Sequence, residues 1–277
     1  MSLLQSLEQG NHRLICPACA DGSRKKNFSV TVEHDGAAVG HCFRCEYVEN
    51  CRPQRGIVQR FGKALNRPVA ARKREGLSDY GLTLFDACVA LRGTVGGSYL
   101  LARGCALPPQ DGDLRFHHAL RHPVTGYVGP ALVALVTHAE TRAPLTLHRT
   151  WVQADGQKAH CDPPRMLLGA HPKKHGVIRL WPDEYVTYGL AVAEGIESAL
   201  ALAKSYTPVW ACIDAGNLAE LPAMRGIETL IIGADHDPAG LKAATACADR
   251  WAAAGVDVRV IAPGAERADW ADLGVAA

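Results

Sequence analysis

The sequence predicts a multidomain protein of mixed α/β and α+β class. We expect a small β module, a basic α+β subdomain and an α/β domain whose sheet is mainly parallel. Three observations predict this arrangement. Four of the ten cysteines form two close pairs near the N-terminus. The middle of the chain carries alternating apolar and polar runs separated by turn residues, and the last third alternates strands with helices.

The composition is that of an ordinary globular protein with a substantial core. The chain has 277 residues, of which 48% are hydrophobic and 21% charged, so a disordered or collagen-like chain is excluded. The longest apolar run, around residues 128–136, is too short to span a bilayer. The N-terminus lacks the pattern of a secretory signal. We therefore expect a cytoplasmic protein with no membrane partner and no disulfide framework.

The net charge of +2 is a cancellation between three regions. Residues 1–80 hold 13 lysines and arginines against 8 acids, and residues 81–184 hold 11 against 8. Residues 185–277 hold 6 against 12. A basic front and an acidic rear predict two different tasks on one molecule, with the front suited to a polyanion.

The paired cysteines predict a metal site. Cys16 and Cys19 form one Cys-x-x-Cys turn, and Cys42 and Cys45 form another. Two such turns supply four thiolates, which close a tetrahedral shell around one structural zinc ion. Residues 27–39 predict a hairpin that turns at Asp35-Gly36, so the module at residues 1–51 is predicted to be a zinc ribbon. His34 and His41 are alternative ligands, but four thiolates leave no vacancy for them. We predict that Cys51 is a spare and that the five isolated cysteines are core residues: Cys88, Cys105, Cys161, Cys212 and Cys247.

The ribbon and the segment after it carry features of a nucleic-acid surface. The ribbon has cations at Arg13, Arg24, Lys25, Lys26 and Arg44. Phe28 and Phe43 lie among them and either stack on bases or fill the ribbon core. Residues 52–75 are predicted to form a basic linker, because residues 52–74 contain eight cations and no acid.

The middle block, residues 76–184, predicts a short helix followed by an antiparallel meander. Ser98 is the expected helix cap and Gly104 the expected stop. Strands are predicted over residues 127–137 and 145–154, with a hairpin at Asp155-Gly156. The cations of this block, Arg149 among them, are predicted to line a groove for template or nucleotide. Its eight histidines are predicted to be solvated or groove-lining.

The last block, residues 185–277, predicts parallel strands whose carboxyl ends carry acids. Glu194 follows one strand, and Asp235 and Asp237 follow another. Asp269 lies in the loop after the next strand. Ligands of such sheets bind beyond the carboxyl ends of the strands, and clustered carboxylates suit Mg²⁺ or Mn²⁺. Taken singly, each acid also has an ordinary explanation; Asp237-Pro238, for example, is a common helix start.

These motifs carry a resemblance. Glu194-Gly195 and the run from Asp235 to Gly240 (Asp-His-Asp-Pro-Ala-Gly) resemble the Toprim signature of bacterial-type primases, topoisomerases and some nucleases. With the four-cysteine ribbon in front, the order of parts resembles bacterial and phage DNA primases. Residues 147–169 are most similar to primases of phages and mobile elements.

The resemblance implies roles for individual residues. Glu194, Asp235, Asp237 and Asp269 would be catalytic, the first three as magnesium ligands. Lys158 and Arg165 would hold phosphates of template or nucleotide. Some primases carry a second acid where this chain has Ser198, so the role of the neighbouring Glu197 stays open, as does that of Asp272.

The function implied is a DNA primase, a nucleotidyltransferase that makes short RNA primers on single-stranded DNA from ribonucleoside triphosphates. The zinc ribbon would recognise the template. Alternatives are a Toprim nuclease and a catalytically silent DNA-binding replication accessory, and the length of the chain disfavours a type I topoisomerase. No phosphate-loop motif occurs, so a replicative helicase is a candidate partner in trans. We expect DNA binding through residues 1–184 and loss of synthesis, but not of binding, on deletion of residues 185–277.

Overall fold

The structure is a computed structural model that describes residues 3–19, 26–34, 36–45, 47–51, 75–169 and 171–263. The chain forms two compact units, one within residues 1–67 and one within residues 68–277. Apart from Glu75, the predicted basic linker lies outside the described residues, as do Asp269 and Asp272. Within the described ranges, no helix combines the length and apolarity needed to cross a membrane.

The first unit contains a four-stranded antiparallel sheet. Its strands follow chain order: β1 (Gly10–Leu14), β2 (Phe28–Val32), β3 (Ala38–Cys42) and β4 (Val48–Cys51). The predicted hairpin joins β2 to β3 and turns at Gly36, whose φ of +78° favours glycine, while Asp35 lies outside the described residues. One face of the sheet packs into a small apolar core made of Leu4, Cys16, Phe28, Val30, Val32, Ala38 and Cys42.

The second unit begins with two short helices and an antiparallel sheet. The helices are α1 (Asp79–Asp86) and α2 (Val95–Ala102). The sheet runs in the order β5 (Leu114–Arg121), β6 (Val128–His138), β7 (Pro144–Trp151) and β8 (Arg165–Leu167), and β9 (Gly176–Val177) pairs with β6. The predicted meander is confirmed. The hairpin around Gly156 is also present, because Gln153 N–H donates to the carbonyl of Gln157 at 2.8 Å.

The predicted cap of the second helix is wrong by one turn. Ser98 lies inside α2, and the cap is Thr94, whose hydroxyl accepts a hydrogen bond from Gly97 N–H at 3.2 Å. Gly96 and Gly97 lower the helix propensity of the first turn, so the sequence pattern hid the true start. Gly96 sits against Phe116 and Leu132, where a side chain would clash. The helix can therefore approach the sheet only with glycine there.

The last part of the chain forms a parallel four-stranded sheet. Strand β10 (Gly189–Ala193) leads into helix α3 (Ile196–Leu202), and β11 (Val209–Ala211) leads into the short α4 (Ala215–Ala219). Strand β12 (Thr229–Gly233) leads into α5 (Pro238–Ala253), which is followed by β13 (Asp257–Ile261). The strands lie side by side in the order β11, β10, β12, β13, and every pairing is parallel. The predicted α/β part is therefore confirmed.

The antiparallel and parallel sheets share one apolar core. Residues from both sheets and from α2 and α3 form a single buried cluster that includes Leu100, Leu132, Ala193 and Leu200. Ile178 also exchanges two backbone hydrogen bonds with Ala211 of β11, at 2.8 and 3.0 Å. The middle and last parts of the chain consequently pack as one unit.

Sharing a core changes the surroundings of β7. Its alternating pattern predicts one solvent-facing side, but Leu145 packs into the shared core while Leu147 and Trp151 pack into a second cluster under α1. His148 and Arg149 are therefore buried rather than groove-lining. His122, which directly follows β5, is also buried. The prediction that the eight histidines are solvated or groove-lining is therefore wrong for His122 and His148. The five isolated cysteines at 88, 105, 161, 212 and 247 are buried as predicted.

Candidate active site and zinc centre

The four predicted cysteines converge on one point of the ribbon. The sulfur atoms of Cys16, Cys19, Cys42 and Cys45 all lie within 4.8 Å of one another, and three of the separations are 3.6, 3.7 and 3.6 Å. Tetrahedral zinc with Zn–S bonds of about 2.3 Å needs sulfurs about 3.8 Å apart, so the donor set fits one zinc ion. The turns also aim backbone N–H groups at the sulfurs, from Ala18 to Cys16 and from Arg44 to Cys42, both at 3.4 Å.

The two aromatic residues of the ribbon have different roles. Phe28 is completely buried in the ribbon core, whereas 64% of Phe43 is exposed. The guanidinium of Arg13 lies 4.8 Å from the Phe43 ring centroid, and the His41 ring meets the same ring edge-on at 5.1 Å. We call Arg13, His41 and Phe43 the ribbon face. It offers a cation and an exposed ring side by side, whereas Arg24 and Lys25 lie outside the described residues.

Carboxylates follow three neighbouring strands of the parallel sheet at the same edge. Glu194 follows β10, Asp214 follows β11, and Asp235 and Asp237 follow β12. Burial raises the pKa of Glu194, and the charges of Asp235, Asp237 and Asp214 raise it further, to about 7. A divalent cation would relieve their mutual repulsion, and carboxylate oxygens are donors that suit Mg²⁺ or Mn²⁺. Among the described residues, however, only the four cysteines have ligand atoms that converge within 4.8 Å of one another.

Asp214 was not among the predicted site residues. It caps α4 by accepting a hydrogen bond from Asn217 N–H at 2.9 Å, and Lys173 Nζ lies 2.7 Å from its second oxygen. The sequence feature that could have identified it is its place just after strand β11, at the same edge as the other acids. Because Lys173 neutralises it, Asp214 is a poorer candidate for a cation ligand than the other three acids.

The segment after β12 is held by local contacts. Asp237 is exposed and caps α5 by accepting a hydrogen bond from Gly240 N–H at 2.7 Å. A Cβ atom at Gly240 would lie 2.6 Å from the carbonyl oxygen of Asp235, so glycine is required for this close approach. Asp235 receives a hydrogen bond from Ser198 Oγ at 3.1 Å. Ser198 therefore contributes to the orientation of the Asp235 carboxylate.

The predicted phosphate-binding residues differ in accessibility. Arg149 is buried: one Nη donates to the carbonyl of Leu167 at 2.9 Å, and its Nε has no hydrogen-bond partner among the described residues. Its packing between β7 and β8 does not support a phosphate contact. Lys158 is half-buried, and 39% of the Arg165 side chain is exposed. The charge of Arg165 also reaches Glu194, whose pKa it lowers in opposition to the acids.

Glu197, whose role the sequence left open, is the buried counter-ion of this basic group. Its carboxylate accepts hydrogen bonds from Arg165 at 3.1 and 3.2 Å and from the Tyr99 hydroxyl at 2.8 Å. Burial alone would raise the pKa of Glu197, but the charges of Arg165 and Lys158 outweigh it and lower the pKa to about 2. Glu197 stays ionised and joins the middle part of the chain to α3.

Comparison with family models identifies the last part of the chain. The model described as a Toprim domain matches residues 189–277, which include the three carboxylates Glu194, Asp235 and Asp237. The chain carries a Toprim domain. A second model, described as a domain of unknown function (DUF7146), matches residues 75–180. The Toprim domain and the four-cysteine cluster confirm both ends of the predicted resemblance to bacterial and phage primases.

Solved structures similar to the chain include three primases at low identity. A DNA primase domain from Pseudomonas aeruginosa is 15% identical, with 66% of this chain and 56% of that chain covered and a TM-score of 0.38. The Aquifex aeolicus primase, with zinc-binding and RNA polymerase domains, is 14% identical at 95% and 75% coverage and a TM-score of 0.46. The primase fragment of the bacteriophage T7 primase-helicase protein is 17% identical at 95% and 94% coverage and a TM-score of 0.43.

The chain thus spans little more than half of the Pseudomonas aeruginosa chain. No curated protein matches this sequence.

Proposed function

We propose that the protein is a DNA primase that synthesises short RNA primers on single-stranded DNA. The observation that carries the proposal is the set of carboxylates at the edge of the Toprim sheet. Three of them, Glu194, Asp235 and Asp237, lie close enough for the aspartates to raise the pKa of Glu194. The charge of a partly exposed cation, Arg165, acts on Glu194. Anionic and cationic groups side by side suit a reaction between metal-bound phosphates.

The reaction proposed is nucleotidyl transfer. The 3′-hydroxyl of the growing primer attacks the α-phosphate of an incoming ribonucleoside triphosphate, a new phosphodiester bond forms and pyrophosphate leaves. Glu194, Asp235 and Asp237 would hold Mg²⁺ or Mn²⁺, with Asp269 a further candidate from outside the described residues. When bound, the cations supply activation of the attacking oxygen and compensation of charge on the leaving group. Lys158 and Arg165 would bind phosphates.

Template recognition is assigned to the ribbon face. Arg13 can pair with a phosphate, and the exposed ring of Phe43 can stack on a base, the combination that single-stranded nucleic acids favour. The zinc ion would hold the two cysteine turns, and so the ends of the strands that carry this face, in place. Because four thiolates would fill the coordination shell, the zinc ion would have a structural and not a catalytic role.

Primer synthesis on unprimed single-stranded DNA tests the proposal. The full chain is given labelled ribonucleotides with Mg²⁺ or Mn²⁺, and Glu194→Gln and Asp235→Asn are expected to abolish incorporation. The matched control is Glu228→Gln, an exposed glutamate that precedes β12 at the opposite edge of the sheet. Synthesis that survives both carboxylate substitutions would show that the site is assigned wrongly. Cleavage of labelled DNA without nucleotides would instead identify a Toprim nuclease, and DNA binding with neither activity an accessory protein.

A further inference from the structure

Glu197 has an unusual environment for a glutamate on a helix. Only 10% of its side chain is exposed, and all its described side-chain partners come from the middle part of the chain. Tyr99 comes from α2 and is completely buried, while Arg165 is the first residue of β8. A buried carboxylate is costly without charged or hydrogen-bonding partners, and here both kinds are present.

The other partner of this ion pair, Arg165, also acts on the carboxylate cluster. Arg165 keeps 39% of its side chain exposed, although Glu197 holds one of its Nη atoms. Its positive charge acts on Glu194, which lies just ahead of α3 and three residues before Glu197. The proposed metal ligand and the anchor of the cation are therefore close together in the chain.

We propose that Glu197 is a positioning residue that holds the Arg165 guanidinium beside the carboxylate cluster for binding the phosphates of the incoming nucleotide. The inference deepens the proposed primase function and rests on it. Glu197 does not touch substrate; it acts through Arg165. Tyr99 in turn fixes the carboxylate by donating its hydroxyl at 2.8 Å. An anchored guanidinium loses little freedom on binding phosphate, which is the benefit of fixing it in advance.

An ion pair that only joins the two parts of the unit has different consequences. Removing such a pair would lower the free energy of unfolding. The kcat would fall only as the amount of folded enzyme falls, and the KM would stay the same. Removing an anchor for a phosphate-binding arginine instead raises the KM for nucleotide with a smaller change in kcat, because binding rather than chemistry depends on it. The KM-against-kcat split therefore separates the two.

The test compares Glu197→Gln, Arg165→Gln and the double variant with the wild-type chain and with Glu228→Gln. Primer synthesis is measured over a range of ribonucleoside triphosphate concentrations, and ATP binding with Mg²⁺ is followed by calorimetry. We expect Glu197→Gln to raise the KM and the ATP dissociation constant about tenfold, since charged hydrogen bonds of this kind carry such effects. The double variant should be no worse than Arg165→Gln alone, because Glu197 acts through Arg165.

An unchanged KM in Glu197→Gln, or effects of the two substitutions that simply multiply, would overturn the inference while primer synthesis by the wild-type chain upheld the proposed function. A wild-type chain that neither binds ATP nor makes primers would overturn both. If Glu197→Gln does not fold, Tyr99→Phe carries the test, because it removes one hydrogen bond and keeps every charge. Tyr99→Phe is expected to raise the KM about threefold, and an unchanged KM would overturn the inference.

Discussion

Glu194 lies just before α3 and Glu197 lies in its first turn, three residues later, and their pKa values move in opposite directions. The pKa of Glu194 is raised to about 7 by burial and by three neighbouring aspartates. That of Glu197 is lowered to about 2 because Arg165 and Lys158 outweigh its burial. The chemistry of each residue is set by the charges across from it, which come from distant parts of the sequence. Glu194 is therefore suited to bind a cation, whereas Glu197 is already paired with the Arg165 guanidinium.

Ser198 provides a prediction at the same scale. Its hydroxyl donates to one oxygen of Asp235 at 3.1 Å, so Ser198→Ala removes one of the hydrogen bonds that orient that carboxylate. We expect the Mg²⁺ concentration for half-maximal primer synthesis to rise about tenfold, as for other residues that orient metal ligands. Ser198→Thr, which keeps the hydroxyl, should restore most of the affinity. The exposed Ser205→Ala serves as control, and equal Mg²⁺ requirements in Ser198→Ala and wild type would refute the orienting role.

His148 predicts a pH dependence of stability. Burial, followed by the charges of Arg165, Arg149 and Lys158, lowers its pKa to about 3 against the opposing charge of Glu197. Because the folded state disfavours the protonated ring, stability is complete above the unfolded value of 6.5 and is lost as the pH falls toward 3. Between pH 7.5 and 5, the unfolding free energy should fall about 2 kcal/mol more in the wild type than in His148→Gln.

Chemical denaturation at the two pH values measures this difference for His148. The exposed His160→Gln is the matched control and should follow the wild type. Parallel losses in wild type and His148→Gln would mean that His148 is not the group responsible.

At the scale of elements, the two cysteine turns bring the ends of the ribbon strands together. Cys42 closes β3 and is fully buried beside Phe28, which touches both the metal shell and the small core. A core of this size has little stability of its own, so the ion is expected to carry much of it. Phe43, which directly follows β3, is therefore expected to depend on zinc for its place on the ribbon face.

Cys42→Ser and Cys51→Ser form a matched pair that tests this dependence. Both residues end a strand, but only Cys42 belongs to the four-cysteine cluster. Zinc released per chain, measured colorimetrically, should fall from one to near zero in Cys42→Ser and stay at one in Cys51→Ser. Near-stoichiometric zinc in Cys42→Ser would contradict the assigned ligand set.

At the scale of the whole molecule, the shared core alters one expectation drawn from the sequence. Deleting residues 185–277 was expected to spare DNA binding, but it would expose Leu100 and Leu132, which pack against Ala193 and Leu200. Such a truncated chain should lose stability along with activity. Separating binding from synthesis therefore requires substitutions in the full chain.

The uneven charge predicts how the full chain binds DNA. The two basic blocks, residues 1–80 and 81–184, should make the phosphate contacts, so affinity for single-stranded DNA should fall about tenfold or more between 50 and 200 mM salt. Glu194→Gln should keep the same slope of log affinity against log salt, because its charge change lies in the acidic block. Fluorescence anisotropy measures both slopes, and an affinity insensitive to salt would refute the electrostatic role of the basic blocks.

The sequence by itself determined the local features of this protein. Spacing alone predicted the four-cysteine cluster, because two Cys-x-x-Cys turns need only a hairpin to bring them together. Strand–helix alternation identified the parallel sheet and the acids at its carboxyl edge, since parallel strands end on one side.

Tertiary structure decided what depends on burial between distant segments. It buried Arg149 and His148 by covering β7 on both sides, and it gave Glu197 its partners Tyr99 and Arg165. It also resolved Phe28 as core and Phe43 as surface. Periodicity reports how residues alternate along one element, whereas which faces become covered depends on neighbours that only the packed chain supplies.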